Sequence, residues 1–173
     1  MKNKLFFLCV LFILMLENTV FAENKTIIVA HRGASDICPE NTVFSFRAAK
    51  SLHSDGIETD LRLTKDNKIV LCHNNTIDST SNGSGYIKDY TLEELKQFDF
   101  GQWKHEAFKG MTISTLEELL DNCSDFSVID LELKSEGDRN AEYITAVADV
   151  LRDYDHKENI IISSFNCFNF TTI

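Results

Sequence analysis

Strand-like and helix-like segments alternate along this chain of 173 residues, which predicts an α/β fold with a parallel sheet. Two observations favour a TIM-type (β/α) barrel over a dinucleotide-binding sheet. The strand-like runs end in polar residues, and no Gly-x-Gly-x-x-Gly fingerprint follows the first of them. Barrels of this type hold eight strands in about 250 residues. We therefore expect a barrel truncated after about strand five, and the alternative is a small open α/β sheet that is complete as it stands.

The individual elements follow from hydrophobic periodicity and from capping residues. Apolar runs predict strands at residues 26–30, 57–63, 68–72, 127–133 and 160–164. Apolar residues at helical spacing predict helices at residues 40–52 and 140–154, and capped starts predict shorter helices at residues 91–98 and 115–122. The two shorter helices each begin with a Thr-x-x-Glu pattern, which is typical of a capping box (Thr91 with Glu94, Thr115 with Glu118).

The first 22 residues are predicted to be a secretory signal peptide. Lys2 and Lys4 give a basic start, and residues 5–16 form an unbroken apolar run. In residues 20–22, Val20 and Ala22 then provide a branched and a small side chain before a cleavage site. The run is shorter than the roughly 20 apolar residues that cross a bilayer, although an N-terminal membrane anchor is the alternative. We expect an exported protein, secreted or periplasmic, in which residues 23–173 form a partial barrel domain without a stable membrane span.

The charge of the chain limits its partners. Its formal net charge of −10 at pH 7 disfavours nucleic acids and anionic membrane surfaces. The acidity is compatible with cation binding but does not demonstrate it. The cysteines that would remain after signal removal show no Cys-x2-Cys spacing, which argues against zinc, and they predict no particular disulfide (Cys38, Cys72, Cys123 and Cys167).

Carboxylates on two predicted strands carry the main functional signal. Because side chains alternate across a strand, Glu58 and Asp60 point to the same side. In residues 127–134, Asp130, Glu132 and Lys134 share a charged face opposite an apolar one. Carboxylates on one face repel unless a cation or proton lies between them, and hard oxygen ligands suit Ca2+ or Mg2+. We predict a divalent cation at Glu58, Asp60 and Glu132, with Lys134 available to an anion; the alternative is a solvated acidic edge.

Two histidines are candidates for proton transfer near this cluster. His31 and His73 each follow a strand-like run, and histidine exchanges protons near neutral pH. Each alone would suit a structural hydrogen-bonding role, but matching positions on adjacent strands favour an acid/base pair. Arg32 adds a planar guanidinium suited to a phosphate. A Cys72–His73 nucleophile is disfavoured because neighbours in a strand point to opposite faces.

These residues lie in motifs that resemble the glycerophosphodiester phosphodiesterase family. The resemblance runs from about residue 27 to residue 165, and many motifs occur in the family's order. The matching segments are VAHRGA (29–34), PENT (39–42), GIETD (56–60), TKD (64–66), IVLCH (69–73), TSNGSG (80–85), LELK (131–134) and SSF (163–165). The resemblance implies the N-terminal portion of a TIM-type barrel of the phospholipase-C-like phosphodiesterase kind, with the remaining strands expected beyond residue 173.

The resemblance also implies an activity and roles for the residues. The activity is metal-dependent hydrolysis of small glycerophosphodiesters to sn-glycerol 3-phosphate and an alcohol. The chain departs from the family at Asn74, where an aspartate is usual. The alternatives are a related phospholipase D-like barrel acting on lysophospholipids and a catalytically inactive truncated binding protein. The implied roles are acid/base for His31 and His73, Ca2+ or Mg2+ binding for Glu58, Asp60 and Glu132, phosphate contact for Arg32 and Lys134, and shaping of the site for Glu40 and Asn41.

Overall fold

The computed structural model describes residues 26–134 and 136–166, and the predicted signal peptide (1–22) and Cys167 lie outside these ranges. Each predicted strand and helix is present, most with shorter ends. The strands are Val29–His31 (β1), Gly56–Leu63 (β2), Ile69–Leu71 (β3), Val128–Leu133 (β4) and Ile160–Ser163 (β5). The helices are Val43–Ser51 (α1), Leu92–Leu95 (α2), Leu116–Cys123 (α3) and Asn140–Arg152 (α4).

The sheet follows the order β1-β2-β4-β5, and each neighbouring pair along this path is parallel. Helix α1 connects β1 to β2, and α4 connects β4 to β5. Parallel strands linked through helices are the repeating unit of a (β/α) barrel. Because the strands are parallel, their carboxyl ends meet at one rim of the sheet.

The prediction that residues 68–72 form a further parallel strand is wrong. Strand β3 runs antiparallel to the end of β2, with Leu61 opposite Leu71 and Leu63 opposite Ile69. The connection at residues 64–68 is too short for a parallel crossover, which needs about a dozen residues. It is a tight turn in which Asn67 has a φ of 60°. Strand β5 is therefore the fourth strand of the parallel path in the described residues, where the sequence predicts the fifth.

The apolar faces of the parallel strands are buried against the helices. In β4 the exposure alternates strictly, so that Ile129, Leu131 and Leu133 are buried and the charged face is only partly covered. Both predicted capping boxes are present, with Thr91 and Thr115 accepting from the backbone of Glu94 and Glu118. The main core joins the outer faces of β2 and β4 to the buried sides of the helices (Phe46, Leu61, Leu119, Leu131, Tyr143 and Val147 among others).

Residues 74–113, between β3 and α3, pack over a smaller apolar cluster that includes Ile77, Leu95 and Phe100 and that they share with Val70 and Cys72. Three cysteines, Cys38, Cys72 and Cys123, are buried free thiols. Within the described ranges, no helix is long and apolar enough to cross a bilayer.

Candidate active site

The strand register brings the predicted carboxylates together. Asp60 on β2 lies opposite Glu132 on β4, and His31 on β1 lies opposite Glu58 on β2. Glu58, Asp60 and Glu132 each offer one carboxylate oxygen to a cluster in which these atoms lie within 4.8 Å of one another. The side chains that the sequence places on one face of each strand are thus neighbours across two strands, in an arrangement that could hold a metal ion.

Glu58 has the features expected of a ligand to a cation. Its Oε1 atom is buried and has no hydrogen-bond partner among the described residues. Burial raises the pKa of Glu58 to about 7, with Asp60 as the second cause and with further contributions from Glu132 and Asp130. A buried carboxylate that is costly to ionise is stabilised by a nearby cation. The oxygen donors of the triad therefore fit a hard divalent ion such as Ca2+ or Mg2+.

Asp60 is fully buried and surrounded by donors. Asn41 Nδ2 donates to Asp60 Oδ2 at 2.8 Å, and Arg32 Nε lies 3.3 Å from the same oxygen. Lys134 Nζ lies 2.8 Å from Asp60 Oδ1 and also donates to Glu132 Oε1. Burial acts to raise the pKa of Asp60, but Lys134, Asn41 and Arg32 together outweigh it and lower that pKa below its ordinary value. Asp60 is therefore held ionised at the centre of the site.

Arg32 reaches Asp60 because the chain turns sharply after β1. Arg32 itself has a φ of 57°, and its backbone N–H donates to the Glu58 carbonyl at 3.0 Å. Gly33 follows with a φ of 78°, and a Cβ there would lie 2.2 Å from Ser45 Oγ, so a side chain cannot fit. Glu40 Oε1 accepts from Arg32 Nη1 at 3.1 Å. Glu40 and Asn41 thus fix two of the predicted site residues, Arg32 and Asp60.

The two histidines reach the rim from different directions. His31 Nε2 lies 3.7 Å from Glu58 Oε2, and its side chain is 66% exposed. His73 follows β3, and because β3 is antiparallel, the prediction of matching positions on adjacent parallel strands is wrong. His73 Nδ1 pairs with Asn74 Oδ1 at 2.9 Å. His31 lines an open cleft of about 350 Å³ with Glu58 and Glu132, whereas His73 lines a small cavity beside Glu40 and Asn41.

The structure adds residues to which the sequence assigns no role. Asp130 lies opposite Glu58 in the β2–β4 register and lines the cleft, and Ser163 Oγ donates to its Oδ1 at 2.7 Å. The alternation along β4 places Asp130 on the charged face, but it does not indicate a role for it. Arg62 Nη2 donates to the His73 carbonyl at 2.7 Å. No sequence pattern indicates that contact, because its acceptor is a backbone atom on the returning strand of a hairpin.

The fold and the site define a (β/α)-barrel protein with a candidate metal centre at the carboxyl ends of its strands, where active sites of such barrels lie. The family model of the glycerophosphoryl diester phosphodiesterases matches residues 31–173. The chain belongs to this family.

Curated relatives and solved structures agree with that assignment. The chain is 39% identical over 150 residues to the glycerophosphodiester phosphodiesterase of Caldanaerobacter subterraneus subsp. tengcongensis, an alignment that covers 86% of this chain and 62% of the relative. It is 37% identical over 127 residues to the glycerophosphodiester phosphodiesterase of Bacillus subtilis, covering 69% of this chain and 43% of the relative.

Solved structures of the family share the fold. A phosphodiesterase from Oleispira antarctica, in complex with the product sn-glycerol-3-phosphate, superposes with a TM-score of 0.81 at 34% identity, covering 85% of this chain and 60% of that one. A glycerophosphodiester phosphodiesterase from Thermotoga maritima gives 0.68 at 31% identity, covering 86% and 58%. The TIM-type fold class is confirmed. The chain spans about three fifths of the length of both structures.

Proposed function

We propose that the protein acts as a metal-dependent phosphodiesterase that hydrolyses glycerophosphodiesters to sn-glycerol 3-phosphate and an alcohol. The observation that carries the proposal is the carboxylate triad of Glu58, Asp60 and Glu132, with oxygens within 4.8 Å of one another and two basic side chains beside it. The product sn-glycerol-3-phosphate bound to the Oleispira relative supports the substrate class.

In this proposal the triad would hold Ca2+ or Mg2+. The Oε1 of Glu58, which is buried and has no hydrogen-bond partner in the part of the chain that the structure describes, would be among its donors. A bound divalent ion would supply positive charge that polarises a phosphoryl oxygen and stabilises the charge that develops there. Arg32 and Lys134 supply fixed positive charge to the same phosphoryl group. Both side chains contact Asp60, so the basic groups proposed to bind phosphate lie next to the carboxylates proposed to bind the metal.

His31 and His73 carry protons in this mechanism. One imidazole takes a proton from the attacking nucleophile, and the other gives a proton to the departing alkoxide. His31 is close to the triad and open to solvent, with Nε2 3.7 Å from Glu58 Oε2. His73 is held by its neighbours through both its ring and its carbonyl. This difference supports two distinct roles for the histidines.

The proposed activity is tested with purified protein and glycerophosphocholine. We expect release of sn-glycerol 3-phosphate that a chelator abolishes and that added Ca2+ or Mg2+ restores. The Glu132→Gln variant should lose this turnover, while Glu117→Gln, an exchange of a carboxylate on α3 outside the triad, should retain it. Turnover that survives chelation would overturn the metal-dependent mechanism. Metal binding without turnover would favour a binding protein, and turnover of lysophospholipids alone would favour the phospholipase D-like alternative.

We further propose that the protein is exported, secreted or periplasmic, through cleavage near residue 22. The basic start and the apolar run at residues 5–16 support this proposal. Cell fractionation followed by N-terminal sequencing tests it. The mature chain is expected to begin near residue 23 and to be found outside the cytoplasm. An intact N-terminus on a protein that stays in the membrane fraction would indicate an anchor instead.

A further inference from the structure

Thr59 stands between two of the proposed metal ligands, yet strand alternation directs its side chain away from them. It is fully buried in the outward face of β2. Its hydroxyl nevertheless has a polar partner, because Thr59 Oγ1 donates to Asn41 Oδ1 at 2.7 Å. The position thus carries a hydroxyl on an otherwise mainly apolar face, where a valine of nearly the same shape would satisfy packing alone.

The Asn41 side chain, which accepts from Thr59, also hydrogen-bonds to Asp60. Its Oδ1 also accepts from the Asp60 backbone N–H at 3.3 Å, and its Nδ2 donates to Asp60 Oδ2 at 2.8 Å. A carboxamide has one accepting end and one donating end. The donor from Thr59 therefore helps to decide that the NH2 end of Asn41, and not its oxygen, faces the Asp60 carboxylate.

The contact from Thr59 differs from the others because it does not involve Asp60. Among the described residues, the other two hydrogen bonds of the Asn41 side chain are made with Asp60, a short one with its carboxylate and a longer one of 3.3 Å with its backbone N–H. The Asn41 backbone is held separately: its φ is 56°, and its N–H donates to the Arg32 carbonyl at 3.1 Å. Thr59 thus holds the Asn41 amide through a contact that lies outside the Asn41–Asp60 pair.

We propose that Thr59 is a positioning residue for the metal centre, whose hydroxyl fixes the amide of Asn41 so that Asn41 holds Asp60 ready to bind a divalent cation. This inference rests on the proposed metal site. Groups that orient metal ligands typically change metal affinity by about 10–100-fold when they are lost. Because Thr59 acts through Asn41, we expect about a tenfold loss, at the lower end of that range.

The test is titration of the metal-free full chain with Ca2+ and with Mg2+ by calorimetry, which needs no turnover. Thr59→Val removes the hydroxyl and keeps the shape, whereas Thr59→Ser keeps the hydroxyl. Thr145→Val is the matched control, since Thr145 is exposed on α4 and its hydroxyl donates within that helix, to the Ala141 carbonyl. We expect about tenfold weaker binding for Thr59→Val, and near wild-type binding for Thr59→Ser and Thr145→Val.

Several outcomes would overturn the inference. If Thr59→Val melts at a lower temperature but binds both ions as tightly as wild type, the hydroxyl is structural only. If wild type binds neither ion, the proposed metal site fails and this inference fails with it. If wild type binds an ion and Thr59→Val binds it equally well, this inference fails and the metal site stands. If Thr59→Val does not fold, Thr59→Ala, which also lacks the hydroxyl, takes its place, and the same affinity loss relative to Thr59→Ser is expected.

Discussion

At the scale of single residues, the site is a balance between buried acids and a few basic groups. The ionised Asp60 has its charge balanced by Lys134 and Arg32, whereas Glu58 has a raised pKa and an oxygen with no hydrogen-bond partner among the described residues. A bound cation would therefore stabilise the ionised forms of these two carboxylates to different extents. Glu58 gains the most from a divalent ion, and Lys134 is the group whose charge competes with that ion.

Metal affinity should depend on pH through Glu58. Its pKa in the folded protein is about 7 against an ordinary value of 4.5, so the proton must leave before the carboxylate binds a cation. We expect Ca2+ or Mg2+ affinity to fall as pH falls below about 7, by up to about tenfold per pH unit. Calorimetry between pH 5.5 and 8.5 measures it. Glu58→Gln should bind weakly at every pH, and a wild-type affinity that is flat across this range would contradict the prediction.

The raised pKa of Glu58 makes metal affinity increase with pH, but it should make the stability of the metal-free protein decrease with pH. Because folding raises the pKa of Glu58, the unfolded chain ionises first as pH rises, and the folded state is penalised. The free energy of unfolding in chelator should therefore decrease as pH rises from about 4.5 through about 7. Urea titrations of wild type and Glu58→Gln test this, since the decrease should be smaller in the variant. Equal decreases would assign the effect to other groups.

Replacing Lys134 should separate cation binding from phosphate binding. Lys134→Met removes a positive charge that lies 2.8 Å from Asp60 Oδ1, so divalent-cation affinity should rise by about 3- to 10-fold. Binding of sn-glycerol 3-phosphate should be lost, because the anion loses a positive partner. Calorimetry with the divalent cation and with sn-glycerol 3-phosphate measures the two affinities. Lys109→Met, at an exposed surface pair with Glu106, should change neither, and weaker cation binding in Lys134→Met would contradict the prediction.

At the scale of elements, the sequence predicts which face each strand presents, but it does not predict which strands are neighbours. Alternation in residues 127–134 predicts that Glu132 and Lys134 share a face, and Lys134, directly after β4, donates to Glu132 Oε1. The pairing of β2 with β4 depends on long-range packing, so the approach of Asp60 to Glu132 is visible only in the structure. His73 illustrates the opposite case, because a local turn makes β3 antiparallel and changes how the histidine reaches the rim.

The β2–β3 hairpin is tied to the segment after β4 through Arg62. Its Nη1 lies 3.3 Å from Glu136 Oε1, and its Nη2 donates to the His73 carbonyl. Burial raises the pKa of Glu136 in spite of this cation. Arg62→Gln would leave that buried carboxyl without the Arg62 cation, and we expect a loss of about 2–3 kcal/mol in the free energy of unfolding.

Urea denaturation near pH 7 measures this loss. Arg152→Gln serves as the control, because Arg152 pairs with Asp149 at an exposed position on α4 and should change stability by less than about 0.5 kcal/mol. The double variant Arg62→Gln/Glu136→Gln should recover part of the loss, since it removes the unpaired charge as well. Equal stability of Arg62→Gln and wild type would show that the pair contributes nothing.

At the scale of the whole molecule, the proposed ligands lie on two adjacent inner strands of the described sheet. Strands β2 and β4 each pair with a neighbour on both sides, and together they carry Glu58, Asp60 and Glu132. A chain with a formal charge of −10 also repels itself, and three of its carboxylates meet at this junction. A divalent ion bound there would relieve repulsion and join two strands that are far apart in sequence.

Metal binding should therefore stabilise the entire described fold and not only the site. A ligand present at about 100 times its Kd adds about 2.7 kcal/mol to the free energy of unfolding, which corresponds to about 5–10 °C in Tm for a chain of this size. Scanning calorimetry at pH 8 with Ca2+ or Mg2+, against choline chloride of equal ionic strength, measures the shift. The shift should shrink at pH 6, where Glu58 is largely protonated, and should nearly vanish in Glu132→Gln. An equal shift in Glu132→Gln and wild type would mean that the ions act elsewhere on the acidic surface, and the triad would no longer be the metal centre.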